Sequence, residues 1–343
     1  MRKYLLPEYG NFYKANMHMH TTVSDGKFTP EETKKAYMEM GYSIVAFTDH
    51  ELMLPHPELR DDNFLPITSH EISVDDKDSG KYEFKHTYHL NLYSRNPDET
   101  RMPLFNDKCF WSARMRCCLT KENTVFETPR VYSTDGVNEL IRLAKERGFI
   151  VCYNHHSWSQ QTYNDYIGLN GLWGAECYNT GCVRGGYPLD DDIIVIDDFL
   201  RVGKQVFPIA SDDSHNEHDR FGGYIMVKAG SLDYDSVFAA LERGDFYAST
   251  GPEIETLYIE DGKLHIDCHK AREVYVTTER RAAWIRKAPV GGSDISADID
   301  LSDYIEISAS DENDSNGSFI RVTVKGHDGS HAYTRGYFVD ELK

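Results

Sequence analysis

Residues 16–26 read NMHMHTTVSDG, two histidines one position apart followed by an aspartate in a Ser-Asp-Gly turn. In extended chain, residues i and i+2 face the same side, so the imidazoles of His18 and His20 can grip one ion. Further short apolar runs end in similar groups. IVAFTDH ends in His50, LPITSHE in His70 and Glu71, and VCYNHH in His155 and His156. LWGAECYN ends in Glu176, Tyr178 and Asn179, and FPIASDDSH in Asp213 and His215. TYHLNLY differs, because its histidine, His89, stands near the start. A lone His-x-His could be an ordinary strand end. Recurrence at run after run, in a chain with 15 histidines, points instead to imidazole and carboxylate ligation of divalent metals, with Mn, Fe and Zn all suited.

The elements that must position these groups are strands alternating with helices through the first 250 residues. TPEETKKAYMEMG has Thr29 as a cap, Pro30 at the first helical position, Glu32 completing a capping box and Gly41 as a stop. Further helices are predicted near 134–147, 190–202 and 234–244. Strand–helix alternation implies an α/β fold with a mainly parallel sheet, open or closed into a barrel. In such barrels the reactive groups gather at the C-terminal ends of the strands, where the histidines and acids fall. Beyond about residue 250 the texture becomes alternating apolar and polar, with Asp261-Gly262 and Asp328-Gly329 as hairpin turns and no helical pattern. The predicted division is 1–250 for a metal-binding α/β unit and 251–343 for a small antiparallel β-sandwich. Residues 97–129, carrying Trp111, are too long for a plain connector and are expected as an insertion near the site.

Bulk properties narrow the partners. With 37 basic and 56 acidic residues the net charge is −19, which disfavours long nucleic acids unless bound metal reverses the local field. No apolar run approaches the roughly 20 residues of a membrane span. The seven cysteines include no C-x-x-C pair, and the N-terminal residues lack a signal-peptide core, so a cytoplasmic location is expected.

The pieces HMH (18–20), SDG (24–26), TDHE (48–51), HE (70–71), YHLNL (88–92), NHH (154–156) and SDDSH (211–215) occur in an order that resembles the PHP family, the polymerase and histidinol phosphatase metallohydrolases. The NHH…W form and the trailing β segment look like the branch with carbaryl-esterase-like members. The resemblance implies a distorted (β/α)7 barrel, TIM-like, with three divalent metal ions. Carried over, His18, His20, Glu71 and Asp213 would hold one ion. Glu71 would bridge to a second, held also by His89 and His155, and Asp25, His50 and His215 would hold a third. The chain departs from the family pattern at His70, where Gly often precedes the bridging Glu, and at His156, where Pro is common.

Six charges from three divalent ions exceed those of three carboxylates, so such a site would carry about +3 and attract a phosphate dianion within an acidic protein. The expected activity is a metal-dependent phosphoesterase acting on a small phosphorylated metabolite or nucleotide. Arg184 and Arg220 are candidates for a bidentate phosphate fork, and Glu51 or Asp212 for proton donation to the leaving group. The rival readings are a carboxyl-ester or amide hydrolase of the same fold, and a metal-stabilised binding module without catalysis. Oligomeric state is not legible.

Overall fold

The first helix shows how closely local sequence sets the frame. In the computed structural model, which describes residues 2–76, 85–310 and 317–343, α1 (Pro30–Glu39) begins at Thr29. The Thr29 hydroxyl accepts from the Glu32 backbone N–H at 3.2 Å, while the Glu32 carboxylate accepts from the Thr29 N–H at 2.9 Å. Gly41 leaves the helix with φ +77°, a conformation that favours glycine. The chain then enters a strand.

A short β1 (Lys3–Tyr4) precedes β2 (Asn11–Asn16), β3 (Tyr42–Phe47), β4 (Leu65–Asp75) and β5 (Thr87–Ser94). Next come α2 (Ala113–Cys117), α3 (Thr134–Glu146), β6 (Phe149–Tyr153), α4 (Tyr163–Tyr166), β7 (Gly174–Asn179), α5 (Thr180–Arg184) and α6 (Ile194–Arg201). β8 (Phe207–Ser211), β9 (Tyr224–Ala229), α7 (Tyr234–Arg243) and β10 (Phe246–Ser249) complete this part. The sheet runs β10-β9-β2-β3-β4-β5-β6-β7-β8. The pairs β2–β3, β3–β4, β6–β7 and β7–β8 are parallel, while β5 is antiparallel to both β4 and β6. The fold is thus mixed α/β around one large sheet.

Among the described residues the strand ladder is not continuous around a closed barrel. β8 ends the ladder, and the first and last rim strands meet beyond their ends through one isolated bridge, Met19 to Ser214. That bridge carries the Asp213 N–H to the His18 carbonyl at 2.9 Å and the His20 N–H to the Ser214 carbonyl at 3.0 Å. Buried Leu140, Ile141 and Ala144 of α3, Ile196 and Phe199 of α6, and Val237 and Leu241 of α7 share a core with the strands.

The remaining strands are antiparallel: β11 (Glu253–Glu260), β12 (Lys263–His269), β13 (Glu273–Thr278), β14 (Ala283–Lys287), β15 (Ile295–Asp300), β16 (Phe319–Lys325), β17 (His331–Thr334) and β18 (Tyr337–Phe338). One sheet is β1-β11-β12-β15. The other, β14-β13-β16-β17, continues directly into β10. Leu257, Leu264, Ile266 and Ile299 from the first sheet pack with Val274, Val276, Val322 and Val324 from the second. Asp261 and Gly262 both have positive φ in the β11–β12 hairpin, as a tight two-residue turn requires. The expectation of no helix after residue 251 is overturned by α8 (Ser302–Ala309). Its β-branched Ile305 and Ile307 read as strand, and its uncapped first turn gives no start signal. None of the seven cysteines is in a disulfide, and among the described residues no helix is long and apolar enough to cross a membrane.

Candidate metal centre

All but Asp25 of the site's side chains are placed at the rim of a strand. Past β2 the chain continues through Met17, His18, Met19 and His20, with the methionines buried in apolar clusters and both imidazoles turned together. His50 follows β3 and bridges Glu71 on β4, where the Glu51 N–H donates to the Glu71 carbonyl at 2.7 Å. Glu71 does not end its strand. β4 runs on past the rim as a hairpin with β5, in which Ser73 faces His89 and Glu71 faces Asn91. Because β5 is antiparallel to its neighbours, its start lies where their ends lie. A histidine near the beginning of TYHLNLY therefore reaches the same mouth. His155 follows β6, and Asp213 and His215 follow β8.

Asp25 sits on a loop that Asp49 holds. The Asp49 carboxylate accepts from the Thr21 N–H and hydroxyl, both at 2.8 Å, and from the Ser24 N–H and hydroxyl at 3.0 and 2.7 Å. Gly26 closes the loop with its N–H on the Thr21 carbonyl at 2.8 Å. A Cβ there would stand 2.3 Å from the His20 carbonyl oxygen, so only glycine fits.

The structure brings all nine residues named from the sequence together. Their donor atoms form four overlapping groups, each with all atoms within 4.8 Å: His20, Asp25, His50 and His215; His18, His155 and Asp213; His18, His20 and Glu71; and Glu71, His89 and His155. His20 Nε2 lies 3.1 Å from Asp213 Oδ1 and 3.5 Å from Glu71 Oε2. His18 Nε2 lies 3.3 Å from both Glu71 Oε1 and Asp213 Oδ1. His89 Nδ1 and His155 Nε2 lie 3.1 and 3.4 Å from Glu71 Oε1. His215 Nε2 lies 3.6 Å from Asp25 Oδ1, and His50 Nε2 3.7 Å from Asp25 Oδ2. Ligands held about 2.1 Å from one tetrahedral ion stand about 3.4 Å apart, so these spacings fit divalent ions. His20 lies between two groups, its buried Nδ1 without a hydrogen-bond partner and 3.8 Å from Asp25 Oδ1.

The electrostatics suit the same occupant. Burial opposes the charge on Glu71 and Asp213, yet the surrounding imidazoles hold both carboxyls well below the usual range. Burial likewise opposes charge on His50 and His155, but Glu71 leads the groups that push His50 up to about 9, and Glu71 and Asp213 do the same for His155, also to about 9. His20 goes the other way. Burial, then His215 and His50, push it down to about 3, which favours the neutral form, whereas His50 and His155 would have to give up protons to a metal. Backbone strain gathers here too: His155, Asp213 and Glu51 have φ of +23°, +50° and +60°.

A surrounding layer fixes the imidazoles. The ring N–H at His18 Nδ1 donates to Glu176 at 2.8 Å, which leaves Nε2 facing Glu71 and Asp213. Glu176 also accepts from the Ser211 hydroxyl, the His155 N–H and the Asn179 amide. Asn154 donates to Glu71 at 2.8 Å. Glu176 was visible in the sequence as one more acid at a strand end. Its orienting role was not, because that depends on His18, 158 positions away. His70, next to Glu71, points elsewhere: its ring meets Phe149, and burial pushes it down to about 3.

The four residues considered for proton transfer and phosphate binding are engaged otherwise. Both Glu51 oxygens meet Arg130 at 2.5 Å, and Oε1 also accepts from the Ser73 N–H and hydroxyl. Asp212 accepts from the Tyr37 and Thr180 hydroxyls and from the N–H groups of Phe221, Gly222 and Gly223. Burial raises its pKa. Arg184 donates to the carbonyls of His218 and Arg220. Arg220 is buried with its guanidinium 3.5 Å above the Phe28 ring. Neither arginine is among the residues lining the mouth.

That mouth has two compartments sharing Asp25, His50 and His89. One, of about 350 Å³, lies over Glu71, His155, Asp213 and His215 and is walled by Trp158, Gly181, Gly185, Tyr187 and Asn216. The other, of about 610 Å³, is lined by Ser73, Asp75, Lys85, Asn106, Lys108, Cys109, Trp111 and Arg130.

No family model and no curated protein matches the chain. Among solved structures it is similar to a two-domain protein of Bacteroides vulgatus ATCC 8482, described as containing a predicted PHP-like metal-dependent phosphoesterase. The identity is 14%, with 98% of each chain covered and a TM-score of 0.45. It is also similar to an amidohydrolase of Chromobacterium violaceum with bound sulfate and no metal, at 15% identity over 59% of this chain and 88% of that one, TM-score 0.40. A third match is the lesion-specific endonuclease PfuEndoQ of Pyrococcus furiosus, at 11% identity over 68% of this chain and 56% of that one, TM-score 0.40.

Proposed function

We propose that the chain is a metal-dependent phosphoesterase acting on a small phosphorylated metabolite or nucleotide. One observation carries the reading: His18, His20, Asp25, His50, Glu71, His89, His155, Asp213 and His215 converge on one mouth, and the compartment over them is lined by no lysine or arginine among the described residues. Positive charge for an anionic substrate must then come from cations held by these side chains. His18, His20, Glu71 and Asp213 would hold one. Glu71, His89 and His155 would hold a second, and Asp25, His50 and His215 a third, with His20 also facing that group. Divalent ions in such a set supply Lewis acidity toward phosphoryl oxygens and a hydroxide nucleophile at neutral pH.

The chain's own residues do the rest. Glu176 keeps the His18 proton on Nδ1, so that Nε2 presents a lone pair. Asn154 fixes the Glu71 carboxylate, and Asp49 holds the Asp25 loop in place. Three carboxylates only partly offset several divalent charges, so the mouth favours a dianion over a neutral ester. The two compartments are sized for a small molecule. Residues 1–250 would form the catalytic unit and 251–343 an accessory one. The test is to load the protein with Mn, Fe or Zn and assay p-nitrophenyl phosphate, nucleotides and p-nitrophenyl acetate, beside His20→Ala. Phosphate release lost in the variant supports the reading. Acetate release alone would mark an ester hydrolase, and inertness at full metal occupancy a binding module.

A further inference from the structure

We propose that the larger compartment is a leaving-group subsite for a planar aromatic moiety, stacked on Trp111. This rests on the phosphoesterase reading and names the substrate class within it.

The first observation is Trp111 itself. Large apolar side chains usually leave water when a segment has a core to join, and this segment has one. Met102, Leu104, Phe110 and Met115 are all at most 2% exposed and belong to the main cluster. Trp111, between Phe110 and the capped start of α2, stays 57% exposed. Its ring and that of His50 form a T-shaped pair, centroids 5.5 Å apart at 66°. The indole is therefore held on an anchored segment beside the candidate metal ligands, with much of its surface open to solvent.

The second observation is the position of the cavity. His50, Asp25 and His89 form the wall common to both compartments. A phosphoryl group seated over Glu71 and Asp213 would direct its ester oxygen either across this wall or out to solvent. Across it, the next surface is Trp111. Aromatic rings stack on indole with little preference for their substituents, and the contact is substantial for one ring. Lys85, Lys108 and Asn106 sit on the same cavity, where they suit acceptor atoms on such a ring. The Arg130 guanidinium, also on this wall, is already bound to Glu51 and to the Ser73 and Leu104 carbonyls, and Lys85 donates to the Asp75 carboxylate on the same cavity at 3.4 Å, so the cationic character comes mainly from Lys108. Among the described residues the smaller compartment's rings, Trp158 and Tyr187, share it with no lysine or arginine.

Phosphonates test this without turnover. Phenylphosphonate and methylphosphonate are titrated calorimetrically into metal-loaded wild type, Trp111→Ala and Trp111→Phe. The expected result is phenylphosphonate binding on the order of tenfold tighter in wild type. That advantage should vanish in Trp111→Ala and largely survive in Trp111→Phe. Equal affinities in wild type, or an undiminished advantage in Trp111→Ala, overturn the subsite while leaving the phosphoesterase reading intact. Binding of neither phosphonate by fully metal-loaded wild type overturns both. Trp111 is exposed enough that its truncation leaves the fold in place, and circular dichroism of the variants checks this.

Discussion

Replacing Arg130 by Met tests whether Glu51 is a structural anchor. The pair is buried, with side chains 5% and 1% exposed, and both guanidinium nitrogens reach the carboxylate at 2.5 Å. Removing one partner of such a pair leaves an uncompensated charge and costs about 3–5 kcal/mol. Arg130 also donates to the Ser73 carbonyl at 2.7 Å and the Leu104 carbonyl at 3.0 Å, which places the cost toward the upper end. With an unfolding entropy of roughly 2.1 cal/mol/K per residue, about 4 kcal/mol lowers Tm by roughly 5–6 °C in a chain of this length, if it unfolds as one unit. The double variant Glu51→Leu with Arg130→Met removes the stranded charge. It should recover part of the loss but not all, because the Ser73 N–H and the two carbonyls lose their partners. Arg142→Met, which breaks an exposed pair with Glu139 and Glu146, serves as the control and should shift Tm by under about 1 °C. Scanning calorimetry at fixed metal loading measures wild type, Arg130→Met, Glu51→Leu, the double variant and the Arg142→Met control. If Arg130→Met behaves like the Arg142 control, or if the double variant is as unstable as the two singles added together, the buried-pair reasoning is wrong.

The other predictions concern the centre directly. Glu176→Gln should weaken metal binding by roughly 10- to 100-fold, measured by competition with a chromophoric chelator, because the His18 proton loses its ionised acceptor. An unchanged affinity would remove Glu176 from the orienting layer. Gly26→Ala should destabilise the protein by about 2–3 kcal/mol and weaken metal binding, since the new Cβ collides with the His20 carbonyl. A variant with native Tm and affinity would show that the loop can shift freely. Asp212→Asn should keep turnover within about tenfold of wild type once folded. A loss of about 10²–10⁴ would instead restore Asp212 as an acid or base.

Much of the site was legible because its signals are local. His-x-His, Asp-x-His and a histidine or acid at the end of most apolar runs need only strand periodicity to suggest one mouth. Thr29 and Glu32 announced α1 by their own hydrogen bonds. His89 was an apparent exception in the sequence and became regular once β5 proved antiparallel, a direction that single-strand patterns do not encode. The partners of Glu51, Asp212, Arg184 and Arg220 were not legible, because several of them are remote in sequence. Glu51 meets Arg130 across 79 positions, and Asp212 meets Tyr37 across 175. Polar residues beside ligands look alike in a sequence whether they face substrate or tie down a loop. The continuity of the large sheet through β10 and β17 was hidden for the same reason, since the pairing of Ser249 with Ala332 leaves no local mark.

The most direct test of the central claim is elemental analysis with anomalous diffraction on protein reconstituted with Mn, Fe or Zn. The account predicts roughly three divalent ions per chain, seated among His18, His20, Asp25, His50, Glu71, His89, His155, Asp213 and His215, with occupancy falling in His20→Ala and Asp213→Ala. Protein that stays free of metal after reconstitution, or binds it elsewhere with these side chains unliganded, would contradict it.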